Sequence, residues 1–180
     1  MRLHLVRHLA PQLANGICYG RTDLTVHPAL EAAALPALRL ALPVAAPLFS
    51  SPLRRCTSLA AGLRDEVRLD PRLAELDFGS WEMQRWDNIP RAEVDAWAAD
   101  VVHYRPGGAE SVRAMAHRIN DFYEDLRGQR LPEAIVVCHA GAIRLLGARQ
   151  RGLDPDCMAR EAAAHPHAIG YGTVTVIDCV

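Results

Sequence analysis

The chain has 180 residues, 50% hydrophobic and 23% charged, with a formal net charge of −1, a balance that predicts a single globular domain over 1–180 with a core that needs no disulfide or structural metal. Near-neutrality excludes a global basic field for nucleic acid or an anionic membrane, and no apolar run reaches the length of a bilayer span. All 20 cationic residues are arginine, which excludes a phosphate-loop lysine, a Schiff-base lysine and a catalytic lysine pair, so any anion must be held by arginine, histidine or backbone N–H.

Residues 2–8 are rich in Leu and Val and predict a buried first strand; with charges at Arg2 and Arg7 and no small-residue cleavage site, the segment does not read as a leader. Residues 9–27 form a loop with Pro11, Asn15, Gly16, Gly20 and Asp23 as turn formers. A helix follows over 28–42, opened by Pro28 and expected to strain or break at Pro36. A short strand at 47–50 leads into a helix over 52–64, with Ser51 as its N-cap and Pro52 as its first residue. Residues 67–69 form a third strand. The stretch 71–110 is irregular, with one short helix around 90–99 and a turn at Pro106-Gly107-Gly108.

From 111 to 127, Val112, Met115, Ile119, Phe122 and Leu126 recur at helical spacing, a core stripe that Gly128 ends. A continuous apolar strand at 134–138, a helix over 141–150, a short helix capped by Asp154-Pro155 and a β-branched strand at 173–178 complete the chain. Strands alternating with helices predict a three-layer α/β/α sandwich with a mostly parallel central sheet. The five cysteines are odd in number and lack a CxxC pair, which reads as reduced thiols in a cytoplasmic protein.

Ligands of open α/β sheets bind beyond the carboxyl ends of the strands. Three of those ends carry cationic or imidazole groups: Arg7-His8; Ser51 with Arg54 and Arg55; and His139 with Gly141 and Arg144. One such end alone is ordinarily a satisfied polar residue or a solvated helix charge. Three together predict an anion site, with arginine forks matching phosphate oxygens, a helix start after Ser51 offering free N–H groups, and Gly141 letting the backbone come close to a ligand.

The segments LHLVRH, SSPLRRC, LAELDFGSWE and VCHAGAIR, in that order along nearly the whole chain, resemble the histidine phosphatase superfamily with its phosphoglycerate mutase-like fold. CYGRTDL and the PGG…ES stretch look like its α-ribazole phosphatase branch, which acts in cobalamin assembly. The resemblance implies a phosphomonoester hydrolase that needs no metal or organic cofactor. It makes His8 the nucleophile, Arg7, Arg55 and His139 the stabilisers of phosphoryl charge, and Glu75 the proton donor, with Glu82 the second candidate and Asp77 a third. Arg55 is preferred to Arg54 because it lies four residues after Ser51, as the family's arginine does after its serine. Arg21, Glu82, Gly141 and Ser51 are expected to contact a small-molecule phosphomonoester, without nucleic acid or membrane and with room for a homodimer.

The chain departs from the pattern. Leu9 and Ala10 stand where Gly and then Glu or Thr usually follow the nucleophile, Cys138 stands before the second histidine, and Ala109 is inserted in the GGES turn. Three rival readings follow. Cys138 with Arg144 fits C-x-x-G-x-x-R, the loop of cysteine-dependent phosphatases. Leu9 and Ala10 motivate an inactive phosphate-binding module. His165-Pro166-His167 suggests a metal pair, although the proline favours a surface turn. Within the superfamily, a general or sugar-phosphate phosphatase or a mutase-like enzyme is the alternative. Arg21, Arg85 and Arg105 are the only rim cations on short loops, which favours hydrolysis over phosphoryl return to a second hydroxyl. Trp81, Trp86 and Trp97 fall in the expected rim; packing accounts for at least two of them.

Overall fold

The computed structural model describes residues 1–164 and 168–179. Its strands are β1 (Arg2–Arg7), β2 (Leu48–Ser50), β3 (Val67–Leu69), β4 (Glu133–Cys138) and β5 (Val174–Asp178). Its α-helices are α1 (Pro28–Ala41), α2 (Arg54–Leu63), α3 (Arg91–Ala99), α4 (Val112–Gly128), α5 (Ala140–Gln150) and α6 (Pro155–Ala164). The strands form one sheet in the order β3-β2-β4-β1-β5, parallel except for β5, which runs antiparallel to β1. This is the expected mostly parallel α/β architecture.

Alternation along the central strands divides the core. Leu3, Leu5, Ala134 and Val136 pack with the apolar stripe of α4 and with α5 and α6. Val6, Ile135 and Val137 face the other way, onto α1 and α2. Both faces of β1 and β4 are thus covered, so these strands read as apolar runs. A third cluster of Cys18, Trp81 and Ile89, with Phe78 and Trp97 against it, supports the irregular 71–110 stretch.

Two expectations need correction. Pro36 does not break α1, which runs unbroken through it. Proline removes the bond to the carbonyl four residues earlier, and that carbonyl belongs to exposed Ala32, where water can satisfy it. The helix after β2 begins at Arg54, with Leu53 at the N-cap position and no side-chain cap, so Ser51 and Pro52 lie outside it. The capping role falls to Asp23 of the first loop, whose carboxylate accepts from Arg54 N at 2.6 Å. A first-turn N–H expected to be free for a ligand is therefore already used.

Candidate active site

Register brings the site together. Arg7 pairs with Cys138 across β1 and β4, and Ser50 pairs with Val137 across β2 and β4. The next residue on each strand, His8, His139 and Ser51, therefore emerges at one sheet edge. His8 N donates to Cys138 O at 3.0 Å and Ser51 N to Val137 O at 3.0 Å, which continues the pairing one step past the strands. The rings of His8 and His139 lie edge to face with centroids 5.0 Å apart.

His8 is 2% exposed, and its Nδ1 donates to Leu9 O at 2.7 Å. A carbonyl only accepts, so the neutral ring carries its hydrogen on Nδ1 and its lone pair on Nε2. Burial, then the charge of Arg55 and of Arg7, hold His8 down from 6.5 to about 3, against the opposing pull of the Leu9 carbonyl. A neutral imidazole with a free Nε2 is what nucleophilic attack on phosphorus requires. His139 is fully buried and is likewise held well below 6.5, by burial first and then by His8 and the arginines. Its Nε2 meets Ser51 Oγ at 2.8 Å, and Cys56 Sγ lies 3.5 Å away.

Unfolded histidine takes up a proton near 6.5, whereas folded His8 does so only near 3. The unfolded state then binds more protons throughout that window, so stability is full above about pH 6.5 and is lost as pH falls toward 3. The slope approaches about 1.4 kcal/mol per pH unit for one proton. Thermal denaturation at pH 7.5 and pH 5 is expected to show a lower Tm at pH 5, with a smaller drop in His8→Gln.

Arg55 is fully buried and donates to Thr22 O at 2.7 Å and Gly20 O at 2.5 Å, while its neighbour Arg54 is exposed. The choice between the adjacent arginines thus falls on Arg55. Arg7 lies with its guanidinium 3.9 Å from the centre of the Tyr171 ring and donates to Ile169 O. Glu75 Oε1 accepts from Leu76 N at 3.1 Å and Oε2 from Gly141 N at 3.2 Å. A Cβ on Gly141 would collide with Glu75 Oε1. Gly141 is therefore needed for the approach of Glu75, a reason different from the ligand contact expected of it.

Of these groups, Arg7, His8, Arg55, Glu75 and Gly141 line a cavity of about 630 Å³, and His139 is not among its lining. Arg7, His8, Arg55 and Glu75 line its polar end, and Phe78, Trp86, Trp97 and Met115 are among the residues of its apolar side. Trp86 and Trp97 are nearly parallel, 9° apart, with centroids at 6.0 Å. Trp81 instead lies in the core with Nε1 donating to Glu93 at 2.6 Å.

Three expected substrate contacts are not among the cavity lining. Ser51 is buried behind the site and bonded to His139, so it orients a ring. Arg21 turns to Asp77 at 3.6 Å. Glu82 accepts from Arg21 N at 2.7 Å, Phe78 N at 3.0 Å and Thr22 N and Oγ1, and so ties the first loop to the 78–82 turn. Glu82 is thus a tie between loops and does not line the cavity, whereas Glu75 does, which favours Glu75 for the acid role. Glu82→Gln would set an amide N–H₂ against donors; we expect a loss of about 2 kcal/mol in stability, read by denaturant titration, without a change in leaving-group preference. Asp77, the third acid candidate, pairs with Arg21 and accepts from Gly79 N at 2.8 Å.

The rival readings fare differently. Cys138 is fully buried, belongs to the core cluster on the α4 side, and has its thiol pushed well above 9 by burial. It offers no thiolate and does not line the cavity. Leu9 is not strained: the positive-φ non-glycine residues among those described are Met83 and Arg130. Its side chain is buried with Val6, Val26 and Leu38, and its carbonyl orients His8. The His165-Pro166-His167 pair lies outside the described residues. Among the described residues, no group of three or more His, Cys, Asp or Glu is placed to hold a metal, and no helix is long and apolar enough to cross a membrane.

Sequence reasoning missed Asp23 as the α2 cap, Tyr171 beneath Arg7, the hydroxyl contact of Tyr19 with Tyr171 at 2.7 Å, and the tie of Arg118 to the Glu75 segment. The first three join a loop to a segment distant in sequence and left no periodic signal. Arg118 had one available signal, a charge among the buried positions of the α4 stripe.

An α/β sandwich with paired histidines, a buried Arg55 and a part-buried Arg7 at one sheet edge fits a phosphoryl-handling class of protein. Residues 3–177 match the histidine phosphatase superfamily (branch 1). The chain belongs to that superfamily. Among curated proteins it is 31% identical to the adenosylcobalamin/α-ribazole phosphatase of Escherichia coli K12, over 96 residues that cover 51% of this chain and 47% of that protein. The chain thus matches about half the length of that relative. Among solved structures it resembles TTHB049 from Thermus thermophilus, with TM-score 0.75 and 30% identity over 99% of this chain and 94% of that one. It also resembles mycobacterial glucosyl-3-phosphoglycerate phosphatase Rv2419c in complex with VO3, with TM-score 0.79 and 25% identity over 98% and 92% of the two chains.

Proposed function

We propose that the protein hydrolyses a phosphomonoester through a phosphohistidine on His8, and that its substrate is α-ribazole 5′-phosphate. The observation that carries the chemistry is the buried neutral imidazole whose Nδ1 is engaged by Leu9 O. His8 Nε2 forms a bond to phosphorus as the bond to the leaving oxygen breaks, and the Glu75 carboxyl gives that oxygen a proton. Water then attacks phosphorus, Glu75 takes its proton back, and the N–P bond breaks to return neutral His8 and inorganic phosphate. Arg7, Arg55 and His139 stabilise the charge on the phosphoryl oxygens in both steps.

Support for the substrate comes from the shape of the cavity: an arginine-anchored end for phosphate and a wall containing Trp86, Trp97 and Phe78 for a flat heteroaromatic group. The E. coli relative's name points the same way. Two of the three rim cations, Arg21 and Arg105, are turned to Asp77 and to Ala109 O, and none of Arg21, Arg85 and Arg105 is among the cavity lining. The test is kcat/KM over α-ribazole 5′-phosphate, simple nucleotides, sugar phosphates and 3-phosphoglycerate. A tenfold or greater preference for ribazole phosphate, about 1.4 kcal/mol in the transition state, is the expected result. A flat profile would leave a general phosphatase, and efficient bisphosphoglycerate-dependent mutase activity would overturn hydrolysis as the function.

A further inference from the structure

Glu75 sits in a segment with no regular secondary structure, between a short 3₁₀ turn at Pro71–Leu73 and another at Gly79–Trp81. No helix or sheet ladder fixes its backbone. Its carboxylate must nevertheless stay within reach of a leaving oxygen, and small displacements of a catalytic group are costly. Of the two N–H groups on its carboxylate, that of Leu76 belongs to the same irregular segment and that of Gly141 to the first turn of α5, so Gly141 holds one oxygen while the reach and angle of the side chain still depend on the backbone of 72–77.

That backbone is held by one side chain from α4. Arg118 Nη1 donates to Arg72 O at 2.5 Å and to Ala74 O at 2.7 Å, and Nη2 donates to Glu75 O at 3.2 Å. The remaining donors go to Glu110: Nε to Oε1 at 2.7 Å and Nη2 to Oε2 at 2.8 Å. The five N–H groups of the guanidinium thus meet five acceptors, a full use of its capacity. Glu110 in turn grips the far side of Glu75, with Oε2 accepting from Asp77 N at 3.3 Å and its own N donating to Asp77 O at 3.1 Å. The ion pair is mostly shielded, with side-chain exposures of 15% for Arg118 and 14% for Glu110. From the same helix, Met115 lines the cavity and would lie 3.3 Å from a Cβ on Gly141. One helix therefore packs against the Gly141 backbone and anchors the segment that carries Glu75.

We propose that Arg118, braced by Glu110, is a positioning residue for proton donation by Glu75: it fixes the carboxyl against the leaving oxygen and touches neither substrate nor phosphorus. The proposal rests on the reading of Glu75 as the acid. Lysine cannot replace it, because three donors on a single nitrogen cannot reach three carbonyls and a bidentate carboxylate.

A merely structural role would lower activity on every substrate alike; a positioning role acts through the proton. The experiment compares kcat on an alkyl phosphate with kcat on p-nitrophenyl phosphate, whose leaving group departs without protonation. It uses Arg118→Lys, Glu110→Gln, Glu75→Gln and the double variant Arg118→Lys/Glu75→Gln, with folding checked by circular dichroism. Arg118→Lys is expected to lower kcat on the alkyl ester about tenfold or more and on the aryl ester by less than about threefold, the split that defective general acid catalysis produces. In the double variant the alkyl loss should not exceed that of Glu75→Gln alone, because groups acting through one step are not additive. Glu110→Gln keeps the three carbonyl contacts and should show a weaker split in the same direction; it carries the test if Arg118→Lys does not fold. Equal losses on both esters in the Arg118 and Glu110 variants, with the split present in Glu75→Gln, would overturn the positioning role and leave Glu75 as the acid. No split in Glu75→Gln itself would overturn both.

Discussion

Replacing His8 with alanine is expected to lower turnover by about 10⁴-fold or more, the scale on which loss of a covalent nucleophile falls. The argument is local. Nδ1 is occupied by Leu9 O, Nε2 carries the lone pair, and burial beside Arg55 and Arg7 keeps the ring uncharged down to about pH 3. No neighbour can take over. His139 is engaged through Nε2 by Ser51, and the Cys138 thiol is buried and pushed well above its ordinary value. Cys138→Ser should accordingly keep kcat within about threefold, a change of less than 1 kcal/mol in the barrier. The measurement is turnover of an aryl phosphate by both variants, with capture of an acid-labile phosphoenzyme in the parent protein. Inactive Cys138→Ser with active His8→Ala would move the chemistry to the cysteine loop.

How far the molecule was legible depends on how local each determinant is. The elements followed from apolar periodicity in short windows: the Leu and Val of 2–8, the five-residue stripe of α4, and the apolar run ending at Cys138 all became what their spacing implied. The site followed because a parallel sheet puts successive strand ends on one edge, so Arg7-His8, Ser51 and His139 had to be neighbours once the strands were placed. What failed was the assignment of partners to polar groups. Ser51 looked like a helix cap, but Asp23, 31 residues away from Arg54, supplies the cap, and Ser51 holds His139 instead. Arg21 and Glu82 looked available for substrate and were consumed by Asp77 and by the backbone of 21, 22 and 78. Sequence gives the inventory of donors and acceptors; which of them meet across irregular loops is decided by tertiary geometry with no period to read.

Glu75→Gln is expected to lower kcat on an alkyl phosphate by about 10²-fold or more while lowering it on p-nitrophenyl phosphate by less than about tenfold, since general acid catalysis is worth about 10²–10⁴ only where the leaving oxygen needs a proton. Geometry supports Glu75 over the other two acids of its segment. It lines the cavity with His8, Arg7 and Arg55, whereas Glu82 and Asp77 do not. Its carboxylate is steered by one N–H on each oxygen, from Leu76 and Gly141, and Gly141 has no Cβ to block the approach. Glutamine preserves the size of the side chain and its acceptor oxygen, so the substitution removes the proton with little change in packing. The amide nitrogen then faces either Leu76 N or Gly141 N, and that adjustment together with a slower dephosphorylation accounts for the smaller loss on the aryl ester. Dephosphorylation also uses Glu75, as a base toward water. A pre-steady-state burst of p-nitrophenolate in Glu75→Gln should therefore appear or grow, as the phosphohistidine forms normally and waits for a water that nothing deprotonates. Equal losses on the two esters, with no burst, would remove Glu75 from both proton transfers and leave it as a group that only shapes the cavity.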